Sequence, residues 1–404
     1  MAQRPSMAKD LTPPSGTFSF FLLAFLLTLT GQGLVVAGLW RFLEAGASGL
    51  QTSVLTLVQA LASILTPFLL QSWLETRPQM VLRLLAFGLG VAALLALGSP
   101  GLSTFLLLYA ALLALFLFLT AALAIYGVLL GSALPRLFPK EALSQANARW
   151  EMANTLGLVL APLIGGFAVD RLGPYALPLF ALPLGVALVL LLGLKAPPPL
   201  GPSEGRRKAF GGVPLGVLLP VALPALLPAL ALTGGGVLTA LLFHDLKRPE
   251  GLGIAWAGFS LGGFLVAQAL TRVSLPPVLG LLGGLGLLGL GNLGNGLLPY
   301  PHLLLGSLVS GAGVSVARIA FRTFLQRLAP PETLVGLFAY VNVLTQTARV
   351  LGSPLGGGLG DLLGPRGAFV AFGSVFLLAS LLFPPLLRLS QRVLSPRGDA
   401  EGRG

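Results

Sequence analysis

The chain is 404 residues long, 55% hydrophobic and only 9% charged, with a mean hydropathy of +0.90. A water-soluble protein of this size has no polar coat under which to hide that much apolar surface, so soluble classes are excluded at the outset. The formal charge of +12 would signal a nucleic-acid partner in a soluble chain, but here the basic residues sit where membrane insertion places them, and no nucleic acid is expected.

A spanning helix needs about 20 mostly apolar residues. Twelve such runs follow one another, at 18–40, 50–73, 81–97, 102–134, 142–169, 172–194, 213–243, 252–270, 275–298, 302–324, 334–359 and 368–389. Residues 1–16 read as a polar cytoplasmic tail, and the first run is too long for the core of a signal peptide, so it is expected as a retained span. In span one, Gln32 lies between Gly31 and Gly33 and is a candidate for lining a central cavity. Arg41 and Glu44, three apart at its outer end, form an expected interfacial pair. The stretch after span two, Gln71-Ser-Trp-Leu-Glu75-Thr-Arg77-Pro-Gln-Met80, carries an acid and a base between two spans. The long fourth run reads as one helix, with Tyr126 as a second cavity candidate.

Span five holds the first polar stripe. Asn147, Glu151 and Asn154 are spaced four and three, so they share a helical face. A charge facing lipid is expensive, so the stripe must look into the bundle or a water-filled cavity. Further along, Pro162 removes a backbone donor, and Ala161, Gly165 and Gly166 are small enough to let another helix approach. Span eleven repeats the arrangement: Asn342, Gln346, Arg349 and Ser353 on one face, then Pro354, Gly357 and Gly358. Arg349 stands 17 residues past Glu332, about 25 Å into its span. Its guanidinium is expected to reach the central cavity. Asn154, Asn342, Gln346 and Arg349 therefore join Gln32 and Tyr126 as cavity candidates, and Glu151 is the candidate for proton coupling, since burial raises a carboxylate toward the range where it loads and releases protons.

The segment 195–212 interrupts the ladder with Pro197, Pro198, Pro199 and Pro202 and the basic cluster Arg206, Arg207 and Lys208. It reads as a cytoplasmic linker. The sequences on either side of it are similar. Leu134-Pro-Arg136-Leu137-Phe-Pro139-Lys-Glu141-Ala-Leu143 lines up with Leu325-Gln-Arg327-Leu328-Ala-Pro330-Pro-Glu332-Thr-Leu334, and Pro162-Leu-Ile-Gly165-Gly166 with Pro354-Leu-Gly356-Gly357-Gly358. Asp170 and Gly173-Pro174 then match Asp361 and Gly364-Pro365 after a one-residue gap. The expected fold is an all-α polytopic membrane protein of twelve transmembrane helices in two pseudo-symmetric six-helix bundles, 17–194 and 213–389, with a cytoplasmic tail at 390–404. With the N-terminus inside, nineteen basic residues fall on the cytoplasmic side and five outside: Arg41, Arg171, Lys247, Arg248 and Arg366. The positive-inside rule thus places both termini in the cytoplasm and the protein in the cell's cytoplasmic membrane.

The Gly157-Leu-Val-Leu-Ala161-Pro162-Leu-Ile-Gly165-Gly166 run resembles the G-x-x-x-G-P-x-x-G-G signature on span five of exporters of the major facilitator superfamily. The stretches 134–147 and 322–337 look like the branch containing macrolide-efflux and siderophore-export proteins. The resemblance implies a secondary transporter working by alternating access, a proton-coupled exporter of small amphipathic molecules such as drugs or siderophores. An uptake transporter or a lysolipid flippase of the same fold is the alternative. It also implies that Glu75 and Arg77 stand where such proteins carry a cytoplasmic gate motif, although the motif's glycines are missing here.

No enzyme is expected, because an intramembrane enzyme needs clustered His, Asp or metal ligands at one depth. His244 and His302 are far apart in sequence and cysteine is absent, so neither metal nor cofactor is expected. The expected partners are a small-molecule substrate, protons and the lipid bilayer, with the chain acting as a monomer.

Overall fold

A computed structural model describes residues 17–102, 104–137, 140–193, 215–270, 275–328 and 331–394. The helices are α1 (Thr17–Glu44), α2 (Gly49–Thr76), α3 (Pro78–Gly98), α4 (Phe105–Leu137), α5 (Lys140–Leu172), α6 (Ala176–Leu179), α7 (Ala181–Leu192), α8 (Leu215–Asp245), α9 (Pro249–Leu270), α10 (Pro277–Leu297), α11 (Leu303–Leu328) and α12 (Pro331–Leu394). The linker expected at 195–212 and the tails at 1–16 and 395–404 lie outside the described residues, while the last helix runs on to Leu394. A bilayer core offers no water to backbone N–H and C=O groups, so each apolar run satisfies its own as a helix.

Glycine and proline set where the helices stop. Gly46 takes a left-handed φ of 87° between α1 and α2, and Pro78, Pro249 and Pro277 open α3, α9 and α10, where a missing N–H costs nothing. Ten described stretches are long and apolar enough to cross a membrane. Two of them, Ala153–Leu192 and Leu344–Leu382, are 40 and 39 residues long. At 1.5 Å per residue each would be about 60 Å, twice the hydrocarbon thickness, so each crosses twice. The reversals come at Gly173 (φ 54°) and Gly364 (φ 71°), each followed by proline. Counting both crossings of these two stretches fits the expected twelve.

Packing fixes the direction of each helix. The limb of α12 before Gly364 runs parallel to α8, with Gly352 against Leu230 and Gly356 against Gly234. The limb after it runs antiparallel to α10, with Arg366 beside Gly296 and Gly373 beside Gly289 and Leu293. In the first half α5 runs parallel to α1, with Gly157 against Thr28 and Gly165 against Gly33 and Val36. Gly165 thus faces α1 as Gly356 faces α8. The one-residue gap in the repeat therefore falls between Pro354 and the glycines, pairing Gly165 with Gly356 and Gly166 with Gly357 rather than with Gly357 and Gly358.

Each half has its own aromatic core: Phe42, Phe116 and Phe180 in the first, Phe243, Phe369 and Phe376 in the second, all fully buried. Leu106, Leu182, Val189 and Leu381 are each 70% or more exposed. In water such a surface would aggregate; in a bilayer it is the face that meets lipid.

Candidate functional site: a sealed end and a polar belt

The two halves meet along two seams. In one, α5 crosses α9: a Cβ added at Gly166 would stand 2.7 Å from the Pro249 carbonyl oxygen and 3.0 Å from the Gly253 Cα, and one at Gly253 would strike the Pro162 carbonyl. In the other, α2 crosses the first limb of α12: a Cβ on Gly49 would stand 2.6 Å from the Gly357 carbonyl and 2.8 Å from Asp361 Oδ1. Backbones touch directly at both, which only glycine allows. Gly165 is likewise at a helix contact, within the first half, and Ala161 is fully buried. Gly358 is different: nothing lies within 4 Å of its added Cβ, and Gly356 occupies the packing position instead.

Polar groups finish the second seam. The first four N–H groups of a helix, counted from its N-cap, lack intrahelical acceptors, and in α2 those of Ser48, Gly49, Leu50 and Gln51 all find one. Gly49 donates to Asp361 Oδ1 at 2.6 Å and Leu50 to Asp361 Oδ2 at 2.9 Å, across the two halves. Gln51 donates to Ser48 Oγ at 3.2 Å, and the first regular helical bond follows, from Thr52 to the Ser48 carbonyl at 2.9 Å. The Gln51 side chain returns a bond by accepting from Ser48 N–H, completing a capping box. A carboxylate facing a helix N-terminus also meets the positive end of its dipole. One turn deeper, Ser353 donates to the Ser53 carbonyl at 3.1 Å, and the Thr56 and Ser353 hydroxyls touch. The matching acid of the first half, Asp170, makes no such cap. It lies 3.4 Å from Arg171, and the helix it would cap, α9, begins with Pro249, which has no N–H to donate.

Aromatic and ionic contacts cluster at the same end. Trp40 donates to Glu44 at 2.9 Å, Arg41 lies 3.7 Å from Glu44, and the Trp40 ring meets His244 edge-on across the halves at 5.6 Å. His244 is therefore half-buried against an aromatic rather than a solvated helix end. Arg248 pairs with Glu250 at 3.4 Å and lies over the Tyr300 ring, while Arg366 donates to the Gly296 and Leu298 carbonyls at the C-terminus of α10. Arginine on the last carbonyls of a helix is the mirror of aspartate on the first amides. From Gly49 to Thr56 the seam is seven residues deep, so these contacts seal about 10 Å at one end of the bundle.

Deeper in the bundle lies a belt of polar side chains at similar depth. Asn154 is 16 residues from Asp170, about 24 Å below the sealed end, and its Oδ1 accepts from Thr28 at 3.0 Å. Thr233 on α8 donates to the Arg349 carbonyl at 2.8 Å. Arg349 itself is 12 residues below Asp361, about 18 Å. Among the described residues its Nε is buried and without a hydrogen-bond partner, and so is Oε1 of Gln346 one turn away. A second cation among the described residues, Arg318 of α11, is close enough to act on it electrostatically.

Arg318 corrects an expectation. The sequence reading assigns it to the cytoplasmic side; it lies inside the crossing Leu303–Phe321, 15 residues or about 22 Å from the start of α11. Its depth was legible by counting from the span's outer edge, as was done for Arg349. All five acids with described side chains, Glu44, Asp170, Asp245, Glu250 and Asp361, belong to the sealed end. Among the described residues no carboxylate pairs with Arg349.

The other cavity candidates divide. Gln32 is half-buried on α1. Tyr126 is 6% exposed within the core of the first half, so in this state it faces packing rather than an open space. Arg77 is exposed at the junction of α2 and α3, its N–H donating to the Trp73 carbonyl at 2.7 Å. Pro162 lies inside α5, and Pro354 is half-buried on α12. Glu75, Glu151 and Asn342 stand on described helices, but their side chains lie outside the described set.

The sequence of residues 20–281 matches the profile of the Major Facilitator Superfamily. Among solved structures, the nucleoside transporter NupG superposes with a TM-score of 0.73 at 14% identity, covering 92% of this chain and 99% of that one. A bacterial homologue of the human lysosomal transporter Spinster, inward-facing and unoccupied, gives 0.69 at 16% identity, covering 94% and 98%. A bacterial homologue of the iron transporter ferroportin, also inward-facing, gives 0.68 at 20% identity, covering 93% and 98%. Among curated proteins none matches. At these identities the likeness shows a shared fold, not a shared cargo.

Proposed function

The chain belongs to the Major Facilitator Superfamily and is a membrane transporter, and from that premise we propose that it is a secondary active exporter of small amphipathic molecules driven by the proton gradient. The observation that carries the reading is the placement of the contacts between the halves. Among the described residues they gather at one end, where glycine backbones touch and Asp361 caps α2. Halves joined at one end and related by a repeat are suited to rocking about a central site, which is how alternating access works.

The charge asymmetry supports reading the sealed end as the outer one, with both termini in the cytoplasm. In this reading a state closed to the outside is the one in which an exporter takes up its cargo from the cytoplasm. Glu151, 19 residues or about 28 Å below Asp170 on α5, is the acid best placed to carry the coupling proton from the inner half of the bundle. Gln32, Asn154, Asn342, Gln346 and Arg349 form the substrate belt. Glu75 and Arg77, between the second and third crossings, latch the cytoplasmic end when the outer end opens.

The test is flux in sealed proteoliposomes containing only this chain. An inward-directed proton gradient should drive carboxyfluorescein or another amphipathic dye against its own gradient, and collapsing the proton gradient should stop it. Accumulation indifferent to the proton gradient would remove the coupling. Glu75→Gln should shift the balance between inward- and outward-facing states; an unchanged balance and rate would remove the cytoplasmic latch.

A further inference from the structure

The two seams that close the same end are built from different groups. At the crossing of α5 and α9, Pro162 and Gly166 meet Pro249 and Gly253. In the segments 162–170 and 249–257 the polar side chains are those of Asp170, Glu250 and Trp256. Asp170 and Glu250 pair with Arg171 and Arg248 of their own halves, and Trp256 lies beside Gly236 of α8. Among the described residues no hydrogen bond joins the two segments. Pro162, Gly166 and Val169 on one side and Gly253 and Ala257 on the other are buried, so this seam is closed to water and made of backbone and small apolar groups.

At the crossing of α2 and the first limb of α12, the contact of Gly49 with Gly357 is overlaid with polar groups. Asp361 accepts from Gly49 and Leu50, Ser353 donates to the Ser53 carbonyl, and the Thr56 and Ser353 hydroxyls meet. Leu50, Gln51 and Asp361 are exposed, so water already reaches the upper edge. A hydrogen bond parted in the presence of water is remade with water, and the net loss is small. Closely packed apolar and backbone surfaces have no such replacement, and separating them forfeits their contacts outright.

The helices also differ in how they join their own halves. Backbone contacts hold α5 to α1 at Gly165, α9 to α11 at Gly262 and Gly311, and the first limb of α12 to α8 at Gly352 and Gly356. Beyond Gly49, α2 contains no glycine, and it rests on α4 through side chains. A helix seated on side chains tilts with less disruption than one interlocked by its backbone.

We propose that the sealed end opens on one side: α2 parts from the first limb of α12 and water enters there, while α5 and α9 stay in contact as the hinge. The inference rests on the transporter reading above and adds to it the place where the passage opens. Cargo then passes beside Ser53, Thr56 and Ser353, whose polar groups are released as the seam parts. Rocking of two rigid halves about a central axis would instead part both seams together.

The experiment uses the purified full-length chain in lipid nanodiscs, with one spin-label pair at each seam. Ala47 and Leu362 flank the α2–α12 seam, and Arg171 and Lys247, both exposed, flank the α5–α9 seam. Asp361→Ala removes the cap and should enlarge a long-distance population at the first pair by about tenfold or more. The second pair should keep its wild-type distribution. Asp361→Asn gives the same comparison should the alanine variant fold poorly. In proteoliposomes, oxidised Thr56→Cys/Ser353→Cys should stop carboxyfluorescein flux. Bridging Arg171→Cys/Lys247→Cys with a short bis-methanethiosulfonate should leave flux within about twofold of the unbridged protein, because a hinge needs no separation there.

A long population at both pairs in equal proportion, at the α5–α9 pair alone, or at neither overturns the inference. So does a first-seam bridge that stops flux, or a second-seam bridge that leaves it running. Unbridged protein that moves no dye is a failure of the transport reading instead, and the two distance distributions then decide the hinge by themselves.

Discussion

Removing the carboxylate of Asp361 should loosen the outer end of the bundle. Its two oxygens accept the Gly49 and Leu50 N–H groups at 2.6 and 2.9 Å, from a chain position more than three hundred residues away. Asp361 is exposed, so water can replace part of what is lost, and the strength of a fully buried charged bond does not apply. A carboxylate at an exposed helix N-terminus contributes about 0.3–1 kcal/mol through the dipole, and loss of a capping side chain costs about 0.5–2 kcal/mol. Asp361→Asn keeps an acceptor oxygen and loses the charge, which gives about 1 kcal/mol, or about a fivefold shift toward the open outer end. Asp361→Ala loses both bonds and gives about 2 kcal/mol, or about thirtyfold.

The chain has no cysteine of its own, so two introduced ones report cleanly. Spin labels at Ala47 and Leu362 sit on either side of the second seam, on the turn before α2 and just past Asp361. Pulsed dipolar distances should show one short population in wild type, a minor long one in Asp361→Asn and a larger one in Asp361→Ala. If both variants reproduce the wild-type distribution, the cap does not hold the seam and the reasoning from helix-terminus electrostatics fails.

Neighbouring glycines should respond oppositely. Gly357→Ala places a methyl group against the Gly49 carbonyl and should lower the melting temperature and flux, whereas Gly358→Ala meets nothing within 4 Å and should be neutral or gain about 0.5–1 kcal/mol from helix propensity. A melting curve of each decides it. At the first seam, Gly253→Leu should prop α5 from α9, leaving a protein that folds but cannot close its outer end, seen as lost flux with a persistent long distance between labels across that seam. Glu151→Gln should abolish proton-driven accumulation and spare downhill exchange; accumulation at the wild-type level would move the coupling to another acid.

The fold was legible because the bilayer dictates it. Apolar runs of fixed length, punctuated by Gly and Pro, leave helices as the available backbone solution, and even the paired reversals at Gly173 and Gly364 follow from a Gly-Pro step repeated in both halves. The small-residue run around Pro162 and Pro354 reads as close packing in the sequence, and the glycines at Gly166 and Gly357 stand at the two seams. The register of the repeat was less legible, since three consecutive glycines from Gly356 to Gly358 look alike until a neighbouring helix distinguishes them. Asp361 as a cap could not be read locally, because its partners are N–H groups of the other half. The repeat would have suggested equal roles for Asp170 and Asp361, and a single proline at 249 breaks that equality. Arg318 was missed for a plainer reason: proximity to the charged inner end of α11 masked a depth that counting from Leu303 reveals.

The central claim, that the sealed outer end must open once in every transport cycle, is tested by locking it. The Thr56 and Ser353 hydroxyls touch across the seam between α2 and α12, so cysteines in their place bring two thiols together across it, and oxidation can bridge them. Carboxyfluorescein efflux is then measured for Thr56→Cys/Ser353→Cys in cells stripped of their own dye exporters, oxidised and then reduced. The account predicts that efflux stops while the bridge is intact and returns to at least the level of the single-cysteine controls on reduction. Undiminished efflux through a fully oxidised protein would contradict it, because cargo would then be leaving without the outer end ever opening.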